Sequence, residues 1–374
     1  MAHAYTPGLK VAARTVIEKT RKLPLLGQVL VKKGDKIPAQ TIVAKTELPG
    51  KVYPINVAGQ LGLGKANELI DCMLKKEGDE VKSGEIVAQS KGFFGFFKSD
   101  YKAPIDGTIT QISHITGQVI FNAPAIPVEI DAYVDGEVKE EIPSEGVVMR
   151  TEGVHIQGII GLGGETCGEI KMVADVPDKI VDIGMITEEL KGKVIVCGSK
   201  ITTEALAKAG KIGVAGVITG GFDYQDIKDI LGSDLGVAIT GHEDIGYTLI
   251  LTEGFGTIPM ADRTFKLLKK YEGFKASING ATQIRAGVMR PEIIIVHDHK
   301  TEDTTNKNYA QSGLESGDQI RIIRAPYFGK LGKVISLPVE LHKVESGTWV
   351  RVMMAEIDGK EVLVPRANVE VIEK

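Results

Sequence analysis

The sequence predicts a multi-domain α/β protein with β-rich ends. The chain has 374 residues, more than one hydrophobic core usually supports, so we expect two or three domains. Two stretches near the start share a strand, turn, strand pattern. The middle alternates short apolar strands with helical segments, and the C-terminal part again consists of strands.

Composition and charge limit the kinds of function that we expect of this chain. The net charge of −4 gives no global reason to bind nucleic acid or an anionic membrane. No apolar run approaches the roughly 18–20 residues that a bilayer crossing needs, so we expect no membrane insertion. The N-terminus lacks the apolar segment of a secretory signal. The three cysteines are scattered without CxxC spacing, so we expect neither a disulfide framework nor a structural zinc, and a reducing cytoplasm. We assign no metal site and no cofactor.

The N-terminal part contains a repeated half-motif. VLVKKGDKIPAQTIVAKT starts at Val29 and CMLKKEGDEVKSGEIVAQS starts at Cys72. In each copy a Gly-Asp pair separates two strands, because glycine supplies a positive φ and aspartate can cap the turn. Such a repeat predicts a β-structure with pseudo-twofold symmetry.

The second copy continues into KAPIDGTI and then TGQV. This order resembles the barrel-sandwich hybrid of biotinyl and lipoyl carrier domains, which we assign to residues 24–150 after an N-terminal extension (1–23). It is most similar to the unmodified domain in the C subunit of Rnf-type electron-transport complexes. The lysine motifs of the carriers are absent, and whether Lys98 is modified stays open.

A Phe-rich hairpin is the densest aromatic group in the chain. It contains Phe93, Phe94, Phe96 and Phe97. If it is exposed, it predicts a surface for a protein partner. The alternative is packing against a neighbouring domain.

Residues 151–298 predict a central α/β sheet domain with a parallel or mixed sheet. We expect strands over 193–197, 213–219, 236–240 and 248–252. We expect helices that begin near Thr202 and Asp223, and a third over 261–273. The glycine-rich stretch 161–168 precedes a predicted strand rather than a helix, which indicates a hairpin and not a dinucleotide site.

Polar residues follow the strand ends of this domain, where open α/β sheets usually bind their ligands. The candidate small-molecule or anion pocket consists of His242, Glu243, Glu253, Arg285 and Arg290. The same residues would equally suit a buried ion-pair network. No catalytic residue is assigned, and whether the chain is an enzyme stays open.

A polar linker (299–313) leads to the last domain, residues 314–374. Gly317-Asp318, Pro326-Tyr-Phe-Gly329 and Gly332-Lys-Val334 resemble the KOW motif of NusG elongation factors and some ribosomal proteins, which implies an SH3-like barrel. The resemblance implies contacts with RNA or protein. The candidate contact residues are Arg321, Arg324, Tyr327, Phe328, Lys330 and Lys333. Nine basic and nine acidic residues make this domain neutral, which favours a protein partner.

These observations predict a non-catalytic adaptor or scaffold subunit of a larger assembly. It would bind protein partners, or itself, through the KOW barrel and the Phe-rich hairpin. One alternative is an RNA-, ribosome- or transcription-associated KOW protein. The other is an enzyme with a small-molecule site in the central domain.

Overall fold

Strands dominate the computed structural model, with 48% of residues in strands and 14% in helices. The structure describes residues 9–90, 98–231, 245–282, 289–297, 314–322, 327, 330–343 and 349–371. The chain is strand-rich and has several sheets, which is compatible with the predicted multi-domain α/β architecture with β-rich ends.

The first strands and short helices run to residue 157. They are β1 (Val11–Lys22), β2 (Gln28–Val29), β3 (Lys36–Ile37), β4 (Ile42–Leu48), β5 (Val52–Asn56), α1 (Val57–Gln60), α2 (Leu69–Cys72), β6 (Glu80–Val81), β7 (Ile86–Gln89), β8 (Asp100–Lys102), β9 (Gly107–Ile112), β10 (Gln118–Asn122), β11 (Ile126–Asp131), β12 (Gly136–Ile142) and β13 (Gly146–Gln157).

The following elements alternate strands with helices. They are β14 (Ile160–Leu162), β15 (Glu165–Met172), β16 (Ile180–Val181), β17 (Val194–Val196), β18 (Lys200–Ile201), α3 (Thr203–Ile212), β19 (Gly216–Phe222), α4 (Tyr224–Leu231), β20 (Thr248–Phe255), α5 (Asp262–Lys270), β21 (Lys275–Asn279) and β22 (Glu292–Val296). The C-terminal strands are β23 (Gln319–Ile322), β24 (Leu331–Ser336), β25 (Leu341–Lys343), β26 (Trp349–Ile357), β27 (Lys360–Pro365) and β28 (Val369–Val371).

In the part of the chain that the structure describes, the buried apolar side chains form four clusters, and each cluster defines a unit. The N-terminal unit packs around Val43 and Met149. The inserted unit, residues 52–122, lies between β4 and β11 and packs around Phe121. The central unit has the largest cluster, and the C-terminal unit packs around Met353.

The two copies of the repeat belong to different units. Val43 of the first copy lies in the core of the N-terminal unit, and Val87 of the second lies in the core of the inserted unit. Their turns are nearly identical, because Gly34 and Gly78 both have φ near 91°. A carboxylate follows each glycine and accepts a backbone N–H three residues back, at 2.8 and 2.7 Å.

One sheet of thirteen described strands joins the N-terminal unit to the central unit. Strand β13 crosses position 150 and pairs with β1 on one edge and with β12 and β22 on the other. Strand β1 lies in the segment that the sequence suggested as an N-terminal extension. The backbone pairing of β13 therefore makes the two units continuous.

The central unit contains the mixed sheet that the sequence predicts. Strands β15, β17, β19 and β20 pair in parallel, whereas β21 and β22 are antiparallel to their neighbours. The side chain of Thr202 caps α3, and the helix ends at Gly213, which has a φ of 85°. The predicted strand 236–240 lies outside the described residues.

The predicted hairpin at 161–168 is wrong. Strand β14 pairs with β20, whereas β15 pairs with β17 and β21, so the two consecutive strands are not hydrogen-bonded to each other. The reason is that Gly163, with φ 79°, turns the chain from one part of the sheet to another. Local sequence showed the turn but not the partners of the strands that it connects.

Two glycines, Gly220 and Gly221, lie near the carboxyl end of β19, where another segment of backbone approaches the strand closely. A Cβ on Gly221 would lie 2.0 Å from the carbonyl oxygen of Gly256, and one on Gly220 would lie 2.2 Å from that of Ile258. The loop after β20 therefore lies directly against this strand end. Only glycine permits such a close approach of two backbones.

We expect Gly221→Ala to lower the free energy of unfolding by about 1–3 kcal/mol or more, because the new methyl group collides with a backbone carbonyl. Gly164→Ala is the matched control in the same unit, since no atom lies within 4 Å of the position that its methyl group would occupy and its φ is not positive. Chemical denaturation measures both variants. Equal stability of the two would contradict the close approach.

Candidate functional site

The structure describes two of the five residues that were predicted to form the central pocket, Glu253 and Arg290. Glu253 lies near the end of β20 and is buried, and its Oε1 accepts a hydrogen bond from the backbone N–H of Ala261 at 2.9 Å. Arg290 is half-buried beside β22. The predicted residues His242, Glu243 and Arg285 lie outside the described residues.

The predicted C-terminal contact residues occupy different environments. Arg321 is buried on β23, and Tyr327 packs against the core of the C-terminal unit. Lys330 is exposed and pairs with Asp358, and Lys333 lies on β24 opposite Gln319. Arg324 and Phe328 lie outside the described residues, as do Phe93, Phe94, Phe96 and Phe97 of the Phe-rich hairpin.

The structure brings together two residues that the sequence assigned to separate sites. Arg321 donates a hydrogen bond from Nη2 to Oε2 of Glu253, and each side chain is only 4% exposed. A buried charge is costly unless an opposite charge and hydrogen bonds compensate it. This ion pair therefore fixes the C-terminal unit against the carboxyl end of β20.

A second polar cluster lies where the N-terminal unit meets the central unit. The Glu292 carboxylate accepts hydrogen bonds from Lys19 at 2.5 Å and from His155 at 3.0 Å. Arg21 donates two parallel hydrogen bonds to Glu165, both at 2.7 Å. Lys19 and Arg21 both belong to β1, so these contacts hold that strand to the central unit.

The pKa of Glu292 reflects this environment. Burial raises the pKa of Glu292, but the hydrogen bonds and positive charges of His155 and Lys19 outweigh burial and lower the pKa below its ordinary value. Nearby Tyr133 has a φ of 65°, rare for a residue other than glycine. Its hydroxyl is buried, and burial together with the nearby Glu292 carboxylate raises the pKa of Tyr133 well above its ordinary value.

A groove of about 1150 Å³ runs beside β1 and β12. Its apolar wall includes Val16 and Ile37, and its charged wall includes an ion pair between Arg14 and Glu152 at 2.7 Å. Both signs of charge line the groove, so its electrostatics favour no simple anion or cation. In the ranges that the structure covers, no three metal-ligating side chains converge.

The C-terminal unit exposes an apolar and basic surface, the Trp349 patch, that the sequence analysis did not assign. Its three apolar side chains are 88%, 51% and 62% exposed, and its members are Val339, Leu341, Lys343, Trp349, Arg351 and Arg366. In the antiparallel pair β25–β26, Lys343 lies opposite Trp349 and Leu341 lies opposite Arg351. The available signal was that Trp349 is the only tryptophan of the chain.

Arg366 completes this patch. Its guanidinium donates to the carbonyl oxygens of Val352 and Pro338, at 3.0 and 2.9 Å. Burial and the neighbouring Arg351 lower the pKa of Arg366. Two guanidinium groups that repel each other favour the approach of a carboxylate or another anion.

The cysteines are free thiols in the described chain. Cys72 and Cys197 are buried, and burial raises the pKa of the Cys197 thiol. Cys167 is half-buried and lies 2.8 Å from the amide nitrogen of Gln40. None of the helices in the described ranges has the length and apolar character that a membrane crossing requires.

Comparison with known proteins assigns no family. No protein-family model matches the chain, and no curated protein sequence matches it. Function therefore has to follow from the chain's own residues.

We expect Arg321→Met to lower the free energy of unfolding by about 3–5 kcal/mol, because it leaves the Glu253 carboxylate buried without its partner. The double variant Arg321→Met, Glu253→Gln should regain much of that loss, since glutamine keeps the acceptor for Ala261 and removes the charge. Chemical denaturation of the full chain measures both. Lys330→Met is the control, because it breaks an exposed pair and should have a much smaller effect. If the double variant were no more stable than the single one, the buried charge would not be the cause.

The junction cluster predicts a specific acid response. The folded-state pKa of Glu292 lies below its ordinary value of 4.5, so its ionised form stabilises the fold above about pH 4.5. That contribution is lost as the pH falls from 4.5 through the folded-state pKa. Glu292→Gln should therefore be less stable than the wild type at pH 7, and the difference should narrow below pH 4.5. Denaturation series at pH 3–7 measure both proteins, and parallel curves would contradict the assignment.

Proposed function

We propose that this protein is a non-catalytic adaptor or scaffold subunit that binds a partner protein through the Trp349 patch. The exposure of Trp349, at 62%, is the observation that carries the proposal. Tryptophan and arginine are the residues that most often dominate the energy of protein interfaces. Here Trp349 lies opposite Lys343 and diagonally across from exposed Leu341, and Arg351 lies two positions along the same strand.

We also propose that the chain contains the two domain types that its sequence resembles. A four-stranded sheet (β5, β10, β9, β6) and a two-stranded sheet (β7, β8) enclose the core of the inserted unit, which supports a barrel-sandwich hybrid at 52–122. Six strands around one core support an SH3-like KOW barrel in the C-terminal unit. Both domain types recur as non-catalytic parts of larger assemblies.

The patch suggests the chemistry of the partner. Its apolar centre favours an apolar anchor on the partner, and the cations Lys343, Arg351 and Arg366 favour acidic side chains around that anchor. We therefore propose a protein with an exposed apolar residue in an acidic surround. The buried Arg321–Glu253 pair holds the C-terminal unit in a fixed position, which lowers the entropy lost when a partner binds.

RNA binding is the second candidate function, and the same patch favours it. Trp349 could stack on a base while Lys343 and Arg351 meet phosphates. The two candidates differ in their response to salt, because contacts with several phosphates make affinity fall steeply with ionic strength. A mainly apolar protein interface should respond much less.

We expect Trp349→Ala to weaken binding of the main co-purifying partner at least about 10-fold, as for the loss of a central interface anchor. The protein and its variants are purified from the source cells, and the bound material is identified. Binding of the identified partner is then remeasured with purified components. Leu363→Ala is the matched control, since Leu363 is also an exposed apolar residue of this unit but lies on β27.

Three results would count against the adaptor. Full partner binding by Trp349→Ala would exclude the patch as the binding surface. Recovery of RNA whose binding falls steeply with salt would favour the second candidate. A monomer that carries only a small molecule would favour an enzyme or ligand-binding protein.

A further inference from the structure

Strand β1 offers a long backbone edge. It pairs with β13 from Val11–Ile156 to Lys22–Gly146, with a bulge between Ala12 and Thr15 and a regular register from Thr15 to Lys22. Within the described chain no strand pairs with its other edge. At 12 residues it is about twice the usual length of a strand. An unpaired edge presents N–H and C=O groups to which another strand can bond.

The register identifies the backbone groups that point outward. The N–H of Leu23 donates to the carbonyl oxygen of Glu145 at 2.7 Å, one position beyond the Lys22–Gly146 pair. Hydrogen-bonded and non-bonded positions alternate along an antiparallel pair. The backbone groups of Val16, Glu18 and Thr20 therefore point away from β13, toward the free edge.

The two ends of β1 are covered and the middle is accessible. Near one end, Arg21 donates a hydrogen bond to the carbonyl oxygen of Asp131 at 2.9 Å. Near the other, Val11 and Ala13 pack against the central core, and α5 contacts the strand. The accessible stretch is thus 14–20, and within it the side chain of Val16 is 46% exposed.

We propose that this stretch pairs antiparallel with β1 of a second copy of the chain, about a twofold axis at Val16. In that register the outward-pointing groups of Val16 meet those of Val16 in the second copy, and Arg14 lies opposite Glu18 twice. Cross-strand pairs of opposite charge stabilise a sheet. The arrangement is self-complementary, as a twofold interface requires.

Neighbouring registers are less favourable. An axis at Glu18 would place the two Glu18 carboxylates opposite each other and would oppose Arg14 to Lys22, and like charges in these positions destabilise a sheet. An axis at Ile17 would place Val16 opposite Glu18 and leave the charges without opposite partners. Of these three registers, the charge pattern of β1 favours the axis at Val16. An axis at Thr20 would oppose Glu18 to Lys22 but would centre the pairing next to Arg21, at the end of the strand that contacts Asp131.

Strand β1 is also held in a fixed position before a second copy binds. Lys19 and Arg21 tie it to Glu292 and Glu165, so little backbone freedom remains to be lost when a second copy binds. In the single chain, Arg14 pairs with Glu152 and Glu18 pairs with Lys139. Both are exposed pairs, which exchange partners at little cost.

This interface lies on another unit than the Trp349 patch, so the two proposals stand separately. A monomeric wild type that still binds its partner would overturn the β1 interface alone. If the wild type is a dimer and the Trp349→Ala variant still binds the partner fully, the Trp349 patch is overturned and the β1 interface is supported.

The test uses opposite charges at the twofold axis in the full-length chain. We expect the wild type to have twice the chain mass by light scattering and sedimentation. Val16→Lys and Val16→Glu should each weaken dimerisation at least about 10-fold, because each places two like charges opposite each other. A mixture of the two purified variants should recover a 1:1 dimer.

Val176→Lys is the matched control, since Val176 is 43% exposed in the central unit and should leave the dimer unchanged. Unchanged far-ultraviolet circular dichroism spectra and a cooperative unfolding transition would show that the Val16 variants remain folded, whereas their melting temperature should fall with the loss of the dimer. A wild type that is monomeric, single variants that dimerise like the wild type, or a mixture that fails to recover the dimer would each overturn the proposal. So would a different protein whose strand occupies the β1 edge.

Discussion

The backbone hydrogen bonds of β13 hold the N-terminal unit and the central unit together. This strand bonds with β1 on one edge and with β12 and β22 on the other. Buried backbone groups must be paired, so none of these strands can leave without exposing unsatisfied groups on β13. The side chains of its two faces also pack into different cores. Met149 belongs to the N-terminal core, whereas Val154 and Ile156 belong to the central core.

Charged residues fix the remaining geometry at the contacts between units. Lys19 and Arg21 cross from β1 to carboxylates of the central unit, and Arg321 crosses from the C-terminal unit to Glu253. Apolar contacts tolerate small shifts, but buried ion pairs require a defined geometry because each charge needs its partner. Such pairs favour one arrangement of the units more than they add stability. Such fixed geometry would suit the proposed adaptor, which has to present its binding surfaces at set positions.

The two proposed surfaces would bind through different kinds of interaction. The Trp349 patch offers side chains, and its specificity would come from an apolar anchor with surrounding charge. The edge of β1 offers backbone groups, and its specificity would come from the register of charged side chains on either side of Val16. A chain that dimerises through β1 would present two Trp349 patches and gain avidity for a partner with two sites.

Local features followed from the sequence itself. The Gly-Asp turns at Gly34, Gly78 and Gly317 all have φ between 91° and 95°, because the residue types alone decide such a turn. The cap of α3 at Thr202 and the strand character of β15 were likewise predictable, since they depend on neighbours within a few residues. The mixed central sheet followed from the alternation of strands and helices.

Only the tertiary structure decided which distant elements meet. The sequence assigned Glu253 to a pocket and Arg321 to a partner surface, and nothing local shows that they form one ion pair across 68 positions. The partners of β14 and the edge position of β1 depend in the same way on pairing between distant strands. Such pairing is set by the total burial and hydrogen bonding of the whole chain, which no short stretch of sequence contains.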